Sequence, residues 1–218
     1  MKHSQVLQDG TYNPPLHGKL AYISMVNVRV SLVAGCCALL KKAVTIATRY
    51  SAVRHQSELI PGAPEPQILD YLTQQYKLIP HIASVFALHF ASHSLSNLYA
   101  IALARLDEGE VDMLPELHAM SCGVKVIGGI DATEGIEICR LACGGHGYLC
   151  SAGFTRFYGA ATSIITAEGE STVLWLQVAR YLVKSYRAAS NGDNLVGSVT
   201  YLSSVRQNDG RTLNLTSN

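Results

Sequence analysis

Met25, Val28, Leu32, Leu39, Ala43, Ile46 and Tyr50 keep a 3.6-residue apolar period from Leu20 onward, with no proline or turn cluster among them. The run predicts one helix of about 45 Å. That is longer than a small globule accommodates, so the helices beside it must be long too. A second run meets the requirement, because Ile68, Leu72, Tyr76, Ile79, Ala83, Phe86 and Phe90 share one helical face from near Gln67. Pro80 removes one hydrogen bond inside it and is expected to kink the helix without ending it. The first helix gives way at Arg54-His55-Gln56-Ser57, and Pro61-Gly62-Ala63-Pro64-Glu65-Pro66 enforces a loop before the second.

The second helix fades at the acidic, glycine-broken turn Asp107-Glu108-Gly109-Glu110. A third is expected from Pro115, since proline is tolerated at the first helical position and Glu116 suits the first turn. It carries Leu117, Val124, Ile127, Ile138 and Leu141. Its small residues, among them Gly123, Gly128, Gly129 and Gly135, cost helix propensity and either let neighbours pack closely or mark a cofactor passing nearby. Ser151 to Thr166 reads as a glycine- and aromatic-rich connector, and a last helix runs from about Ser171 to Ala189, carrying Leu174, Val178, Tyr181 and Leu182. The fold class is therefore all-α, an up-down four-helix bundle of long helices over residues 20–189. Residues 1–19, broken by Gly10, Pro14, Pro15 and Gly18, read as an incoming strand or loop, and residues 190–218 as a linker-like tail with one apolar piece, Leu195 to Leu202.

Apolar residues make up 48% of the chain and charged ones 15%, too few charges for a fully solvated monomer, so part of the surface is expected to be covered. A net charge of +1 gives no electrostatic case for nucleic acid. Uninterrupted apolar runs stay short of a bilayer span, and the first residues lack an apolar signal core, so neither a membrane span nor secretion is expected. The six cysteines lie within apolar helical patterns and read as reduced core thiols. Cys139, Cys143, His146 and Cys150 raise the question of zinc. Without a second paired knuckle they make a poor tetrahedral set, and no metal is expected.

Chemistry concentrates between Cys139 and Tyr186. The turn Gly144-Gly145-His146-Gly147 lets another backbone or a ligand approach closely. Glu168 and Glu170 stand just before an apolar helix, where a carboxylate is stabilised by free N–H groups; they either dress the first turn of that helix or supply a poised base. Arg54, at the end of the first helix, either complements its dipole or presents a guanidinium to a phosphate.

Four ordered blocks carry a resemblance: RYSAVRHQSELIPGAPEPQILDYLTQQYKLIP at 49–80, LPELHAMSCGVK at 114–125, ACGGHGY at 142–148 and AEGESTVLWLQVARYLVKSY at 167–186. Over roughly 7–205 the chain resembles the first C-terminal helical domain of the peroxisomal acyl-CoA oxidases, within the acyl-CoA dehydrogenase superfamily. The resemblance implies FAD bound between the subunits of a homodimer, oxidation of a fatty acyl-CoA to the trans-2-enoyl-CoA, and return of electrons to O2 as hydrogen peroxide. It places the catalytic base at Glu168. It places flavin contacts at Arg54 and Gln67 of one subunit and at Gly144, Gly145, Glu170 and Thr172 of the other. Such enzymes also have an N-terminal helical domain, a central β domain and a second C-terminal helical domain. The expectation is thus a piece or truncated form, inactive alone, with residues 1–19 leading from a missing β domain and 190–218 leading toward the last. Peroxisomal placement follows from the resemblance alone, since the chain ends Thr216-Ser217-Asn218 and not in a targeting tripeptide. Two rival readings are a dehydrogenase passing electrons to a flavoprotein and a non-catalytic helical dimerisation module.

Overall fold

The structure, a computed structural model, describes residues 4–14 and 23–208. The expected helix start at Leu20, the connection through 15–19 and the tail beyond 208 lie outside the described residues. Five α-helices are present among those described: α1 (Ile23–Val53), α2 (Leu72–Asp107), α3 (Leu114–Ala142), α4 (Phe154–Thr166) and α5 (Ser171–Asn191). Ahead of them, β1 (Gln5–Val6) and β2 (Tyr12–Asn13) form a small antiparallel hairpin, turned at Gly10 with φ +85°.

α3 occupies the centre and touches each of the other four helices. Its glycines make this possible. A Cβ on Gly135 would stand 2.6 Å from Leu40 Cδ1 and 2.9 Å from His81 Nδ1, so here α1 and α2 both press on bare backbone. On the opposite side Gly129 faces Ile165 of α4, and Gly123 faces Val178 and Trp175 of α5. Close helix packing is the use these glycines have, as the sequence pattern allowed.

The core is built from Cys36, Leu40, Ala43 and Ala47 of α1, Leu78 and Leu88 of α2, Ala132, Ile136 and Cys139 of α3, and Phe154, Ala161 and Ile164 of α4. That last contribution corrects the connector expected over Ser151 to Thr166. Its glycine at 159, its aromatics and its threonines have weak helix propensity. Phe154, Phe157, Ala161 and Ile164 nevertheless recur at helical spacing, and burying them against α1 and α3 outweighs the local preference. Gly153 in the left-handed region, φ +79°, opens the helix.

α2 carries a second surprise. The periodic set Leu72, Tyr76, Ile79, Phe86 and Phe90 faces outward, Tyr76 at 82% and Phe90 at 67% exposure, while Leu78, Leu88 and Leu95 face the core. α1 and α2 are each apolar and long enough to cross a membrane by length and composition alone. α1 instead supplies the bundle's core, and between it and α2 runs an open groove of ≈ 670 Å³ lined by Cys37, Lys41, Val44, Val85, Phe86 and His89. At the far end a 3-10 stretch, Gly197–Asn208, lies against α5. It buries Val199 and donates the Ser198 N–H to the Glu116 carboxylate at 2.6 Å.

Candidate active site

The turn between α4 and α5, Ala167-Glu168-Gly169-Glu170, gathers the acidic residues. α5 begins at Ser171 because Glu170, in extended backbone, caps it: its carboxylate accepts from the Thr172 N–H at 2.9 Å and from the Thr172 hydroxyl at 3.3 Å. The bond from the Thr172 amide is the main reason the Glu170 carboxyl sits below the usual carboxylate range. Glu168, two residues earlier, has φ +57°. A side-chain-bearing residue in the left-handed region costs on the order of 1–3 kcal/mol and persists only where its surroundings over-determine it.

Two buried cations do so. Arg29 of α1, 7% exposed, donates Nε–H to the Glu168 carbonyl at 2.9 Å and brings Nη1 to 3.4 Å from His118 Nδ1. Lys125 of α3, 0% exposed, donates Nζ–H to the Ile165 carbonyl at 2.8 Å and to the Gly169 carbonyl at 2.7 Å. Desolvation pushes the Lys125 ammonium below the ordinary lysine range. Two carbonyls of the turn, Glu168 and Gly169, and one from the last turn of α4, Ile165, thus converge on two cations with no carboxylate within salt-bridge distance among the described residues. The Glu168 side chain is half-buried, and its Oε2 is buried without a hydrogen-bond partner among the described residues. A carboxylate oxygen withheld from water and from donors is placed to accept a proton from a bound substrate.

The other expected site residues form a second group. Arg54 is exposed just past the end of α1, and its carbonyl accepts the Ile68 N–H at 2.8 Å. The neighbouring His55–Gln67 bridge sets Gln67 beside it. The glycine turn is a 3-10 helix, Gly144–Tyr148, joined to α1 by the Tyr50 hydroxyl 3.1 Å from His146 Nδ1, one turn before Arg54. Gly144 has φ +57°, and a Cβ at Gly144 or Gly145 would meet nothing within 4 Å, so this backbone is open to a visiting group. Gly147 is closed: a Cβ there would strike the Arg140 carbonyl, which is how α3 and the turn meet. The structure therefore brings Arg54, Gln67, Gly144 and Gly145 to one end of α1, and Glu168, Glu170 and Thr172 to the start of α5. The hydrogen bonds among the described residues do not join the two groups.

Among the described residues no three His, Cys, Asp or Glu side chains converge as a metal site. Cys139 and Cys143 are buried, and burial raises their thiols to about 12 and about 11, whereas Cys150 is exposed. Sequence reasoning missed Arg29 and Lys125. The available signal was a single basic residue set in an otherwise apolar helical stretch, where a charge must find polar partners.

Residues 22–183 match the family model of the acyl-CoA oxidase C-alpha1 domain. The chain belongs to the acyl-CoA oxidase family. It is 49% identical over 203 residues to acyl-coenzyme A oxidase 1 of Drosophila melanogaster, covering 93% of this chain and 30% of that protein. It is 48% identical over 205 residues to the human peroxisomal acyl-coenzyme A oxidase 1, covering 94% of this chain and 31% of the other. Among solved structures, acyl-CoA oxidase-2 of Caenorhabditis elegans, bound with FAD, ascaroside-CoA and ATP, superposes with a TM-score of 0.86 at 39% identity, covering 92% of this chain and 31% of that one. The chain spans about a third of the length of these oxidase relatives.

Proposed function

We propose that this chain is the helical base-bearing part of an FAD-dependent oxidase that converts a fatty acyl-CoA to the trans-2-enoyl-CoA, reducing O2 to hydrogen peroxide in peroxisomal fatty-acid β-oxidation. The observation that carries the reading is the Glu168 turn: a left-handed glutamate, its backbone carbonyl held by Arg29, its Oε2 buried and unpartnered. In this reading Glu168 takes the α-proton of the thioester. When bound, FAD supplies the acceptor for the β-hydrogen, which leaves as hydride.

The residues present fit the cofactor. The open backbone at Gly144 and Gly145 admits a flat or phosphorylated group without side-chain obstruction. The exposed Arg54 guanidinium, unpaired among the described residues, offers a bidentate partner to a pyrophosphate, with Gln67 beside it. Glu170 and Thr172 extend the set at the N-terminus of α5. We assign Arg54 and Gln67 to the flavin of one subunit and Gly144, Gly145, Glu170 and Thr172 to that of its partner in a homodimer. Within one chain Gly144 and Gly145 lie with Arg54 and Gln67, apart from Glu170 and Thr172, so this division between subunits rests on the family resemblance. Residues 1–19 would then lead in from the preceding domain, residues 20–189 form the bundle, and residues 190–218 lead out of it. Neither α1 nor α2 is assigned to a membrane.

The outward apolar face of α2 favours a second element of the reading, that the bundle works as a pairing surface, because exposed Phe and Tyr in a row are an association liability until covered. The function is tested with the full-length protein and a saturated acyl-CoA. One hydrogen peroxide formed and one O2 consumed per enoyl-CoA supports the oxidase. Turnover that needs an added flavoprotein acceptor and yields no peroxide replaces it with a dehydrogenase.

A further inference from the structure

We propose that Lys125 is a positioning residue for the reaction, the group that sets the conformation of the Glu168 turn. The proposal rests on the reading of Glu168 as the base. Lys125 stands between Val124 and Val126 on the central helix and is fully buried. A buried ammonium is retained only where polar groups compensate its lost hydration. Here the compensation comes from two carbonyls, Ile165 in the last turn of α4 and Gly169 in the loop that follows. The first lies at a helix C-terminus, where the backbone dipole already favours a cation.

These two anchors bracket Glu168. Fixing the carbonyls of residues 165 and 169 leaves the three residues between them few ways to close the turn, and the observed closure puts Glu168 at φ +57° and Gly169 at φ +119°. Arg29 grips the Glu168 carbonyl from the other side, through α1. Lys125 ties the turn directly to α3, the helix that touches all the others, whereas Arg29 reaches α3 only through His118, and so Lys125 refers the base to the centre of the bundle. A purely structural staple would be felt as stability. A positioning residue is felt as rate at saturating substrate, because a misplacement of about 1 Å in a reacting group costs roughly 10²-fold.

The test compares Lys125→Met, Lys125→Arg and Glu168→Gln in the full-length, flavin-loaded protein. Methionine keeps the length of the stem and removes the charge and donors; arginine keeps both but in a larger fork. Lys125→Met is expected to retain flavin, to lower kcat roughly 10²-fold, and to leave KM within about threefold. Deuterium uptake in the peptide spanning residues 166–173 is expected to rise while uptake in the core of α3 stays put. An unchanged kcat in Lys125→Met overturns the proposal, as does unchanged uptake in the turn. Should Lys125→Met lose the flavin, Lys125→Arg takes its place, with kcat expected at least tenfold down at constant KM; wild-type kcat there overturns the proposal. Failure of both variants to fold assigns Lys125 to the core alone and equally overturns it. The base reading fails separately, by full turnover in Glu168→Gln, and in that event the uptake measurement still decides whether Lys125 holds the turn.

Discussion

Gly135→Ala is the sharpest probe of how the bundle is held together. In the middle of α3 an alanine gains about 1 kcal/mol of helix propensity over glycine. The added methyl would stand 2.6 Å from Leu40 Cδ1 and 2.9 Å from His81 Nδ1, and Leu40 is fully buried, so both side chains must shift within the core. Overpacking of this kind costs about 1–3 kcal/mol, so the net change runs from about zero to 2 kcal/mol destabilising. Gly129→Ala is the matched control. Its methyl would meet Ile165 Cγ1 at 3.6 Å, ordinary van der Waals contact, so nearly all of the propensity gain survives. The two variants should therefore differ by about 1–3 kcal/mol, or roughly 3–9 °C in Tm for a chain of this size. Thermal and urea unfolding of the 218-residue chain, followed by far-UV circular dichroism, reads the gap. A Gly135→Ala variant that melts as high as Gly129→Ala would refute the claim that α1 and α2 meet α3 at bare backbone.

Three further outcomes follow from the same geometry. Glu170→Ala should lower Tm at neutral pH. Because the folded-state pKa of Glu170 is depressed, its contribution is present above the unfolded value and lost as pH falls through the folded one, so the gap to wild type should close below about pH 4; a constant gap down to pH 3 would contradict the capping account. Under brief treatment with a thiol-alkylating reagent, Cys150 should label first, with the buried Cys36, Cys139 and Cys143, whose thiols sit at about 11 to 12, labelling only on unfolding; uniform labelling of the native chain in peptide mass maps would count against the packing. Incubated with excess FAD and freed of unbound cofactor, the 218-residue chain alone should hold no stoichiometric flavin and form no peroxide from a saturated acyl-CoA, as judged by flavin absorbance and a peroxide assay, since it spans only about a third of the oxidases it matches and lacks the walls that would enclose the flavin and thioester.

Helices were easier to read than the directions they face. Turn chemistry located the ends well: Gly109 with φ +91° follows α2, Pro115 sits in the first turn of α3, and Glu170 caps α5. α2 shows where reading failed, because a helix apolar on more than one face does not say which face the core takes. Leu78, Leu88 and Leu95 went inward, and the more regular row from Leu72 to Phe90 went out. α4 was missed for the opposite reason, a weak local preference overridden by a buried face. At the site, Glu168, Glu170 and the glycine turn stand in recognisable blocks, and Arg54 and Gln67 become neighbours only through the bridge beside them. Arg29 and Lys125 act on a turn more than a hundred and about forty residues away respectively, and such pairings are set by packing, which local spacing does not encode.

The most direct measurement takes the full-length protein, loads it with FAD, and follows flavin reduction by a saturated acyl-CoA in single turnover for wild type, Glu168→Gln and Glu170→Gln. Glu168→Gln should keep its flavin and lose several orders of magnitude in the reduction rate, because the proton acceptor has gone while the fold remains; Glu170→Gln should retain far more of the rate, with its effect falling on flavin affinity. Wild-type reduction in Glu168→Gln together with its collapse in Glu170→Gln would move the base to Glu170 and contradict the account.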